Sequence, residues 1–280
     1  MAKAIRFYET GGPEVLRLET VEVGEPGPGQ ARVRHTGIAV NFIDIYVRTG
    51  RYPAPLPSGL GSDAVGVVEA VGEGVSEVAV GDRVGYLIGP QGAYSDVRLM
   101  PAAVLIKLPD GISDSTASTL IMKGMTAQYL FRQVYPLKGG ETILYHAAAG
   151  GVGLIACQWA RALGVNMIGV VSSDEKAAIA KAHGCAHTIV STREDIAQRV
   201  MEITDGLGVP VVFDSVGKDT LQASLASLQA RGTLVSNGTT SRAFMFSWTW
   251  AARLAPVITL LTLGFLRHQA SAIWANVQPN

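Results

Sequence analysis

The sequence predicts an α/β protein in which a mainly β N-terminal part is followed by a doubly wound parallel sheet. Three observations support this fold class. Up to about residue 107, short β-type runs alternate with turns rich in Gly and Pro. From about residue 113, strand and helix patterns alternate. A glycine-rich segment at residues 145–153 lies between a predicted strand and a predicted helix, where a nucleotide-binding turn is expected.

The N-terminal elements are predicted from runs of β-branched and apolar residues. Strands are expected at residues 31–40, 64–71 and 83–88. Turn sequences separate them: GEPGPG at 24–29, YPAPLPSG at 52–59, VGEGV at 71–75 and VGD at 80–82. This part therefore predicts a β domain with irregular loops.

The second half follows a regular alternation after a helix-compatible stretch at residues 114–135. Strands are predicted at 142–147, 166–171, 188–190, 210–215 and 232–236, and helices at 151–163, 174–183, 193–204 and 219–228. Strands joined by helices of about ten residues imply a parallel sheet covered on both faces. Residues 241–280 do not continue this alternation. Their apolar run at 254–266 has 13 residues, fewer than the roughly 20 of a membrane helix, so we expect no membrane segment.

The composition restricts the class of partner and the compartment. Lys plus Arg equals Asp plus Glu, at 23 each, so the net charge favours neither a nucleic-acid nor an anionic-membrane partner. The two cysteines, Cys157 and Cys185, are too few for a disulfide framework or a four-thiolate zinc site. The N-terminus has no uninterrupted apolar run, so we expect no signal peptide and a cytoplasmic protein with buried thiols.

The segment YHAAAGGVG at residues 145–153 is the most specific local signal. Against the pattern G-x-G-x-x-G its three positions are Ala148, Gly150 and Gly153, so the first glycine is replaced. Gly150 and Gly151 still let the backbone approach a pyrophosphate, and Gly153 lets the helix pack close to the strand. The alternative is a tight turn without a ligand, but the strand–turn–helix context favours nucleotide binding.

The residues after the second strand favour NADPH over NADH. An NAD site usually has an acidic residue there for the ribose 2′-hydroxyl, whereas this strand ends in Ser172 and Ser173. Lys176 follows one helical turn later, where its ammonium can pair with a 2′-phosphate. Asp174 and Glu175 are the counter-argument, although acidic residues at a helix start also stabilise the helix dipole.

Several separated motifs occur in the order found in a known family. They are GGPEVL at 11–16, NFIDIY at 41–46, LPSGLG at 56–61, VGDRV at 80–84, MKGMTAQYL at 122–130, HAAAGGVGLIACQWA at 146–160 and DSVGKDT at 214–220. From residue 1 to about residue 238 the chain resembles the zinc-free, zeta-crystallin-like quinone oxidoreductases of the medium-chain dehydrogenase/reductase superfamily. The resemblance implies a GroES-like β domain over residues 1–122 beside a Rossmann domain over 123–240, with the active site in the cleft between them. Residues 241–280 form a divergent apolar tail.

The resemblance also implies a reaction without zinc. Where the zinc alcohol dehydrogenases of this superfamily have their metal ligands, the chain has Asn41, Ser62 followed by Asp63, and Met122. This set does not suit zinc, which prefers thiolate and imidazole ligands. Without a Lewis acid to polarise an alcohol, the resemblance implies transfer of reducing equivalents from NADPH to an electrophilic acceptor, a quinone or a conjugated enone.

Site residues follow from the same resemblance. The catalytic candidates are Asn41, Asp44, Tyr46, Tyr52, Lys123 and Thr126. The NADPH-binding candidates are Asn41, Phe42, Asp44, Tyr129, Gly150, Gly151, Val152, Ser172, Ser173, Lys176, Ser191, Ser215, Val216 and Gly238. The two tyrosines Tyr46 and Tyr52 either stack on the acceptor or simply pack. Asp44 is expected to cap or pair within its own loop. Tyr52 and Lys123 are the candidates for the proton donor.

The chain departs from the family in its last part. Ser191 stands where the family has a tyrosine near the 2′-phosphate, and Asn237 precedes Gly238 where the family has Phe-Gly. Beyond Gly238 the family's dimer-forming edge strand is missing, which we attribute to a frameshift or truncation. The resemblance implies a homodimer, and this loss predicts an incomplete interface. Two functions remain open: a working NADPH-dependent quinone reductase, or an NADPH-binding protein with little turnover.

Overall fold

The computed structural model describes residues 1–241 and the backbone of Ile258–Leu260. The described residues divide between Met122 and Lys123 into two compact units. The first unit contains the predicted β elements, and the second contains the parallel sheet.

Two antiparallel sheets form the N-terminal unit. Its elements are β1 (Ala2–Phe7), β2 (Arg17–Val21), β3 (Gln30–Ile38), α1 (Phe42–Arg48), β4 (Ser58–Gly59), β5 (Ala64–Val71), β6 (Arg83–Tyr86), β7 (Val97–Pro101) and β8 (Ile106–Lys107), with short 3-10 turns at Pro13–Val15 and Ala102–Val104. One sheet has the strand order β2-β1-β4, and the other β7-β3-β5-β6-β8. The predicted strands at 31–40, 64–71 and 83–88 are confirmed as β3, β5 and β6. Helix α1, which carries most of the NFIDIY motif, is not among the predicted elements.

The larger of these sheets packs its inner face into one apolar core. Val33 on β3, Val68 on β5 and Val84 on β6 are almost completely buried there. Strands β3 and β5 pair with two register shifts, and between them a Cβ on Gly66 would lie 2.1 Å from the carbonyl oxygen of Arg34. Only glycine fits this close approach of two backbones.

A neutral histidine bridges this sheet to a neighbouring loop. His35 Nδ1 lies 2.6 Å from the carbonyl oxygen of Ser95, and its Nε2 lies 2.9 Å from the hydroxyl of Tyr86. Because a carbonyl only accepts, Nδ1–H donates to Ser95, and Nε2 accepts the Tyr86 proton. Burial lowers the pKa of His35 to about 4 and raises the pKa of Tyr86 to about 12. Both ring nitrogens of His35 therefore have suitable hydrogen-bond partners only when the ring is uncharged.

We expect His35 to make the protein acid-sensitive, with a loss of about 2–3 kcal/mol of unfolding free energy between pH 7 and pH 4.5. Since the folded-state pKa lies below the value of about 6.5 in the unfolded chain, the unfolded chain takes up the proton first as the pH falls. The loss therefore begins near pH 6.5 and ends near the folded pKa of about 4. Urea unfolding at both pH values measures it. His35→Gln should lose less stability over this interval, and an equal loss in both proteins would contradict the assignment.

The second unit is a three-layer α/β arrangement whose first helix begins before the boundary. Its elements are α2 (Asp114–Tyr129), a π-helical turn at Leu130–Val134, β9 (Thr142–His146), α3 (Gly151–Ala162), β10 (Asn166–Val171), α4 (Asp174–Ala182), β11 (His187–Val190), α5 (Ile196–Ile203), β12 (Val209–Asp214), α6 (Leu221–Ala226), β13 (Leu228–Ser236) and β14 (Ile258–Leu260). In the described residues the sheet order is β11-β10-β9-β12-β13-β14, and all its pairings are parallel. The predicted alternation is therefore confirmed.

Both faces of the sheet are apolar because successive residues of a strand point to opposite sides. On β9, Ile143 and Tyr145 belong to one core cluster, and Leu144 between them belongs to the other. From β9 the strand order runs to β10 on one side and to β12 on the other. Ligands of such sheets bind at this switch point, beside the carboxyl ends of the strands.

The sheet extends one strand further than the sequence predicts. The prediction that the alternation ends at residue 241 is wrong for Ile258–Leu260, which form β14 parallel to β13 with Leu234 opposite Ile258. A short apolar run has no periodicity that separates strand from helix, so the sequence could not identify this strand. The rest of the predicted tail over 241–280, with its proposed frameshift, lies outside the described residues. Among the residues that the structure describes, no helix is long and apolar enough to span a membrane.

Candidate nucleotide-binding and active site

The predicted nucleotide-binding residues of the second unit gather at one edge of its sheet. Strands β9 to β13 end at His146, Val171, Val190, Asp214 and Ser236, and all the predicted residues except Tyr129 of α2 lie just beyond one of these strand ends. Because the strands are parallel, the loops that follow them lie at the same edge.

The loop between β9 and α3 has the geometry that a pyrophosphate requires. Gly150 caps α3 without any side-chain hydrogen bond, so the cap residue supplies no acceptor to the first N–H groups of this 12-residue helix. A Cβ on Gly153 would lie 2.4 and 2.5 Å from the carbonyl oxygens of Ala147 and Ala148. Ala147 has a left-handed backbone with φ of 54°, a conformation that costs a non-glycine residue about 1–2 kcal/mol. The loop is held tightly against the helix, and free N–H groups at the helix start suit an anion.

Lys123 extends over this loop from α2. A Cβ on Gly151 would lie 2.8 Å from Cε and 2.9 Å from Cδ of Lys123, so the aliphatic part of the lysine occupies the space that glycine leaves. Thr126 and Tyr129 follow at three-residue intervals on the same helix. Tyr129 packs against the core below, and burial raises the pKa of its hydroxyl.

A cation and two hydroxyls meet after β10. Lys176 Nζ lies 3.0 Å from Ser172 Oγ, and the Ser173 hydroxyl accepts the backbone N–H of Lys176 at 3.3 Å as the cap of α4. Ser172 and Lys176 are exposed. This is the arrangement that the sequence predicts for a 2′-phosphate. Ser191 follows β11 at the same edge, and its hydroxyl donates to the Val171 carbonyl at 3.1 Å.

The acidic residue that argued for NADH has a partner in the protein. Arg193 pairs with the Asp174 carboxylate and holds the pKa of Asp174 below its usual value. Sequence reasoning missed Arg193, although its place just after β11 puts it at the same sheet edge as Ser172. With its charge compensated, Asp174 does not set up the acidic environment that excludes a 2′-phosphate.

A buried carboxylate organises the loop after β12. Asp214 is completely buried, and its Oδ1 accepts the backbone N–H groups of Val216 at 2.9 Å and Gly217 at 3.0 Å. The hydroxyls of Thr220 and Ser224 donate to its Oδ2, both at 2.7 Å. A buried charge is tolerated because these donors replace its hydration.

The same network reaches the phosphate loop through His146. Ser224 has one proton and donates it to Asp214, so at 2.9 Å its oxygen accepts from His146 Nε2–H. His146 Nδ1 is therefore the unprotonated nitrogen, and it has no hydrogen-bond partner. Burial lowers the pKa of His146. His146 directly precedes Ala147 of the phosphate loop. Its uncharged ring is linked through the Ser224 hydroxyl to the carboxylate of Asp214.

The predicted residues Ser215, Val216 and Gly238 belong to two loops in close contact. The Ser215 carbonyl accepts the Thr240 hydroxyl at 3.0 Å, and a Cβ on Gly238 would lie 2.6 Å from the Ser215 carbonyl oxygen. The backbone after β13 thus packs directly on the loop that Asp214 organises.

In the first unit, the predicted polar residues form their own hydrogen-bond network. Asp44 Oδ2 accepts the Asn41 N–H at 2.9 Å and the Tyr94 hydroxyl at 2.8 Å. Asn41 Nδ2 donates to the completely buried Asp63 at 2.5 Å, and the Ser62 hydroxyl lies 3.3 Å from Asp44. The capping role predicted for Asp44 is confirmed at the start of α1. Among the described residues, no three His, Cys, Asp or Glu side chains are grouped as a metal site.

Aromatic packing surrounds the candidate tyrosines. The rings of Tyr46 and Tyr52 lie 5.2 Å apart between centroids, and Phe42 lies edge-on to Tyr46 at 5.5 Å. Arg51 lies over the Tyr46 ring at 4.8 Å. Packing therefore accounts for the position of both tyrosine rings, while Phe42 remains 53% exposed and available for contact.

Comparison with known proteins agrees with this geometry. Residues 27–110 match the alcohol dehydrogenase GroES-like domain, and residues 151–255 match the zinc-binding dehydrogenase family. A quinone oxidoreductase of Pseudomonas aeruginosa is 57% identical over 242 residues, which are 86% of this chain and 74% of the relative. The chain belongs to the quinone oxidoreductases. These form part of the medium-chain dehydrogenase/reductase superfamily, as the motifs of the sequence imply.

Two solved quinone oxidoreductases have the same fold as this family member. One from Pseudomonas syringae is 53% identical with a TM-score of 0.91, covering 94% of this chain and 82% of that one. One from Escherichia coli, solved in complex with NADPH, is 43% identical with a TM-score of 0.90, covering 93% and 81%. The GroES-like and Rossmann folds that the resemblance implies are therefore confirmed.

Proposed function

We propose that this chain is an NADPH-dependent oxidoreductase that reduces a quinone without zinc. The observation that carries the choice of cofactor is the contact of Lys176 Nζ with Ser172 Oγ at 3.0 Å beside a charge-compensated Asp174. A phosphate gains an ion pair with the Lys176 ammonium in addition to hydrogen bonds there, whereas a ribose hydroxyl has no negative charge to pair with it. Membership of the quinone oxidoreductases and the relative solved with NADPH support the same choice.

The residues of the second unit account for binding. The start of α3, with Gly150, Gly151 and Val152, has no side-chain cap and would hold the pyrophosphate, and Lys123 beside Gly151 would add a positive charge. Ser172, Ser173, Lys176 and Ser191 would hold the 2′-phosphate end. The rest of the NADPH molecule would be lined by Ser215, Val216, Gly238, Thr126 and Tyr129. When bound, NADPH supplies the reducing equivalents as a hydride.

The first unit supports a reaction without a metal. Asn41, whose amide nitrogen donates to Asp63, stands where a zinc enzyme of this superfamily has a thiolate. The amide of Asn41, the hydroxyl of Ser62 and the carboxylate of Asp63 do not offer the thiolate and imidazole set that zinc selects. The acceptor must then already be electrophilic, which fits a quinone, because orientation rather than polarisation is what the protein has to provide. We propose that the quinone is oriented by Asn41, Phe42, Asp44, Tyr46 and Tyr52.

Asp44 is a positioning residue in this proposal. Its carboxylate is occupied by Asn41, Ser62 and Tyr94, and proximity to Asp44, after burial, raises the pKa of the Tyr94 hydroxyl. The raised pKa makes the Tyr94 hydroxyl unsuited to release a proton at neutral pH. Tyr52 and Lys123 stay the candidates for the proton donor, and the homodimer, the cytoplasmic location and the absence of nucleic-acid partners stay predictions.

A titration followed by a turnover measurement tests the proposal. We expect NADPH to bind, seen as a change in its fluorescence, and to be consumed when a small benzoquinone is added, seen as a loss of its absorbance. The activity should persist after dialysis against a zinc chelator. If NADPH binds but is not consumed, the protein is a nucleotide-binding protein and not a reductase. Loss of activity on chelation would contradict the metal-free reaction.

A further inference from the structure

The loop that follows β11 is fastened to the end of the neighbouring strand β10. The Ser191 hydroxyl donates to the Val171 carbonyl at 3.1 Å, and the Thr192 hydroxyl donates to the Ser172 carbonyl at 3.4 Å. Arg193 is the next residue of this loop. Two hydrogen bonds between adjacent strand ends therefore hold the backbone from which the Arg193 side chain extends.

Arg193 places its guanidinium at the start of α4. Its Nη1 pairs with the carboxylate of Asp174, the first residue of that helix. Lys176 lies in the same helical turn, and its Nζ is 3.0 Å from Ser172 Oγ. Two cations from separate loops and helices thus come to the segment where the 2′-phosphate is expected.

The ion pair leaves most of the guanidinium unused. Within the described part of the chain, Nη1 is the only side-chain nitrogen of Arg193 that makes a hydrogen bond. A guanidinium has five N–H donors in a planar fork, which suits contacts with two oxygens of one phosphate. The Arg193 side chain is 55% exposed, so a ligand can reach the remaining donors.

Folding stability does not account for this ion pair. The side chains of Arg193 and Asp174 are 55% and 73% exposed. Ion pairs between such exposed side chains contribute little to stability, because water and salt screen the charges and two side chains lose conformational freedom. The effect of the pair is local, since the carboxylate fixes the direction of the guanidinium.

We propose that Arg193 is the second cation of the 2′-phosphate site and, with Lys176, determines the preference for NADPH. Asp174 holds one end of the guanidinium, and the free edge donates to the 2′-phosphate. Asp174 is then a positioning residue and not the ribose 2′-hydroxyl acceptor of an NAD site. This inference rests on the proposed function, because it assigns a further residue to the same nucleotide site.

Titration of the full chain with pairs of nucleotides tests this role. In Arg193→Ala, the affinity for NADPH should fall about five- to twentyfold, whereas the affinity for NADH, which has no 2′-phosphate, should not fall. The two nucleotides 2′,5′-ADP and 5′-AMP differ only in that phosphate and should show the same contrast by calorimetry. An unchanged ratio of the NADPH and NADH affinities would overturn the proposal.

A double variant separates contact with the phosphate from compensation of Asp174. Arg193→Ala alone leaves the Asp174 carboxylate uncompensated, and this charge repels a phosphate. In Arg193→Ala combined with Asp174→Ala the repulsion is absent, but the guanidinium contact is still missing. The NADPH affinity should therefore recover only in part and stay at least about threefold below that of the unaltered protein. Full recovery would overturn the contact between Arg193 and the phosphate.

Arg34→Ala is the matched control for the loss of one exposed guanidinium. Arg34 pairs with Glu69 in the first unit, and its side chain is 56% exposed, nearly the same as that of Arg193. Both nucleotides should bind this variant as they bind the unaltered protein. An equal loss of NADPH affinity in Arg34→Ala would indicate a general charge effect and overturn the assignment.

The same titrations distinguish this inference from the proposed function. If the unaltered protein prefers NADPH and Arg193→Ala loses that preference, but no quinone consumes NADPH, the proposed reaction fails while the role of Arg193 stands. If NADPH is consumed and Arg193→Ala keeps the preference, only the role of Arg193 fails. If the unaltered protein binds NADH as tightly as NADPH, the assignments of the cofactor and of Arg193 both fail.

Discussion

Replacing Asp214 with alanine should destabilise the protein by about 3–5 kcal/mol, a loss larger than we expect from any surface substitution. Asp214 is completely buried and accepts hydrogen bonds from Val216, Gly217, Thr220 and Ser224. Alanine leaves these donors inside the protein without an acceptor, and each buried unsatisfied group costs about 1–3 kcal/mol. Rotation of the two hydroxyls recovers part of this loss. Thermal unfolding without nucleotide should show a decrease of about 10 °C.

Two matched variants make this result specific to the network. Asp219→Ala removes an exposed carboxylate five residues along the same segment and should leave the unfolding temperature nearly unchanged. Asp214→Asn keeps one acceptor oxygen for the two backbone N–H groups, and the hydroxyls of Thr220 and Ser224 can turn to accept from its amide. The free energy of unfolding should therefore fall about half as much in Asp214→Asn as in Asp214→Ala. Equal behaviour of Asp214→Ala and Asp219→Ala would show that the carboxylate does not hold this loop.

The Asp214 network marks the limit of what the sequence can predict. His146, Asp214 and Ser224 belong to three separate elements, β9, β12 and α6, and only the parallel order of the sheet brings them together. No spacing in the sequence encodes the hydrogen bond between His146 and Ser224, which are 78 positions apart. The motif DSVGKDT was recognised by resemblance, but the role of its first residue is visible only in three dimensions.

Local patterns, by contrast, were sufficient for the sheet and its phosphate loop. The sequence predicts strand β10 with its observed bounds because the apolar run that ends in Ile168, Val170 and Val171 lies shortly after the turn at Gly164. The β9–α3 turn was found because its glycines lie between a strand and a helix. Helix α1 was missed because seven residues are too few to show a helical period. Its signal was the spacing of Asn41 and Asp44, which fits a capping box.

The second large effect that we expect is a selective loss of NADPH affinity in Lys176→Ala, by about 10- to 100-fold. A phosphate paired with an ammonium gains about 1.5–3 kcal/mol from the charge-assisted hydrogen bond. NADH has no 2′-phosphate, so its affinity should change by less than about twofold. Fluorescence titration with both nucleotides measures the two values. The difference between them should shrink at high ionic strength because Lys176 is exposed and its charge is screened.

Helix α4 itself offers the control that separates binding from folding. Lys176 is in the first turn, where a cation opposes the helix dipole, so alanine there should not destabilise the helix. Lys181 in the last turn has the favourable position for a cation, and Lys181→Ala should leave the preference for NADPH intact. A cation at an unfavourable helix end, beside the hydroxyl of Ser172, has its best explanation in a phosphate ligand. If Lys176→Ala weakens NADPH and NADH equally, that explanation is wrong, and the basis for choosing NADPH from this structure is lost with it.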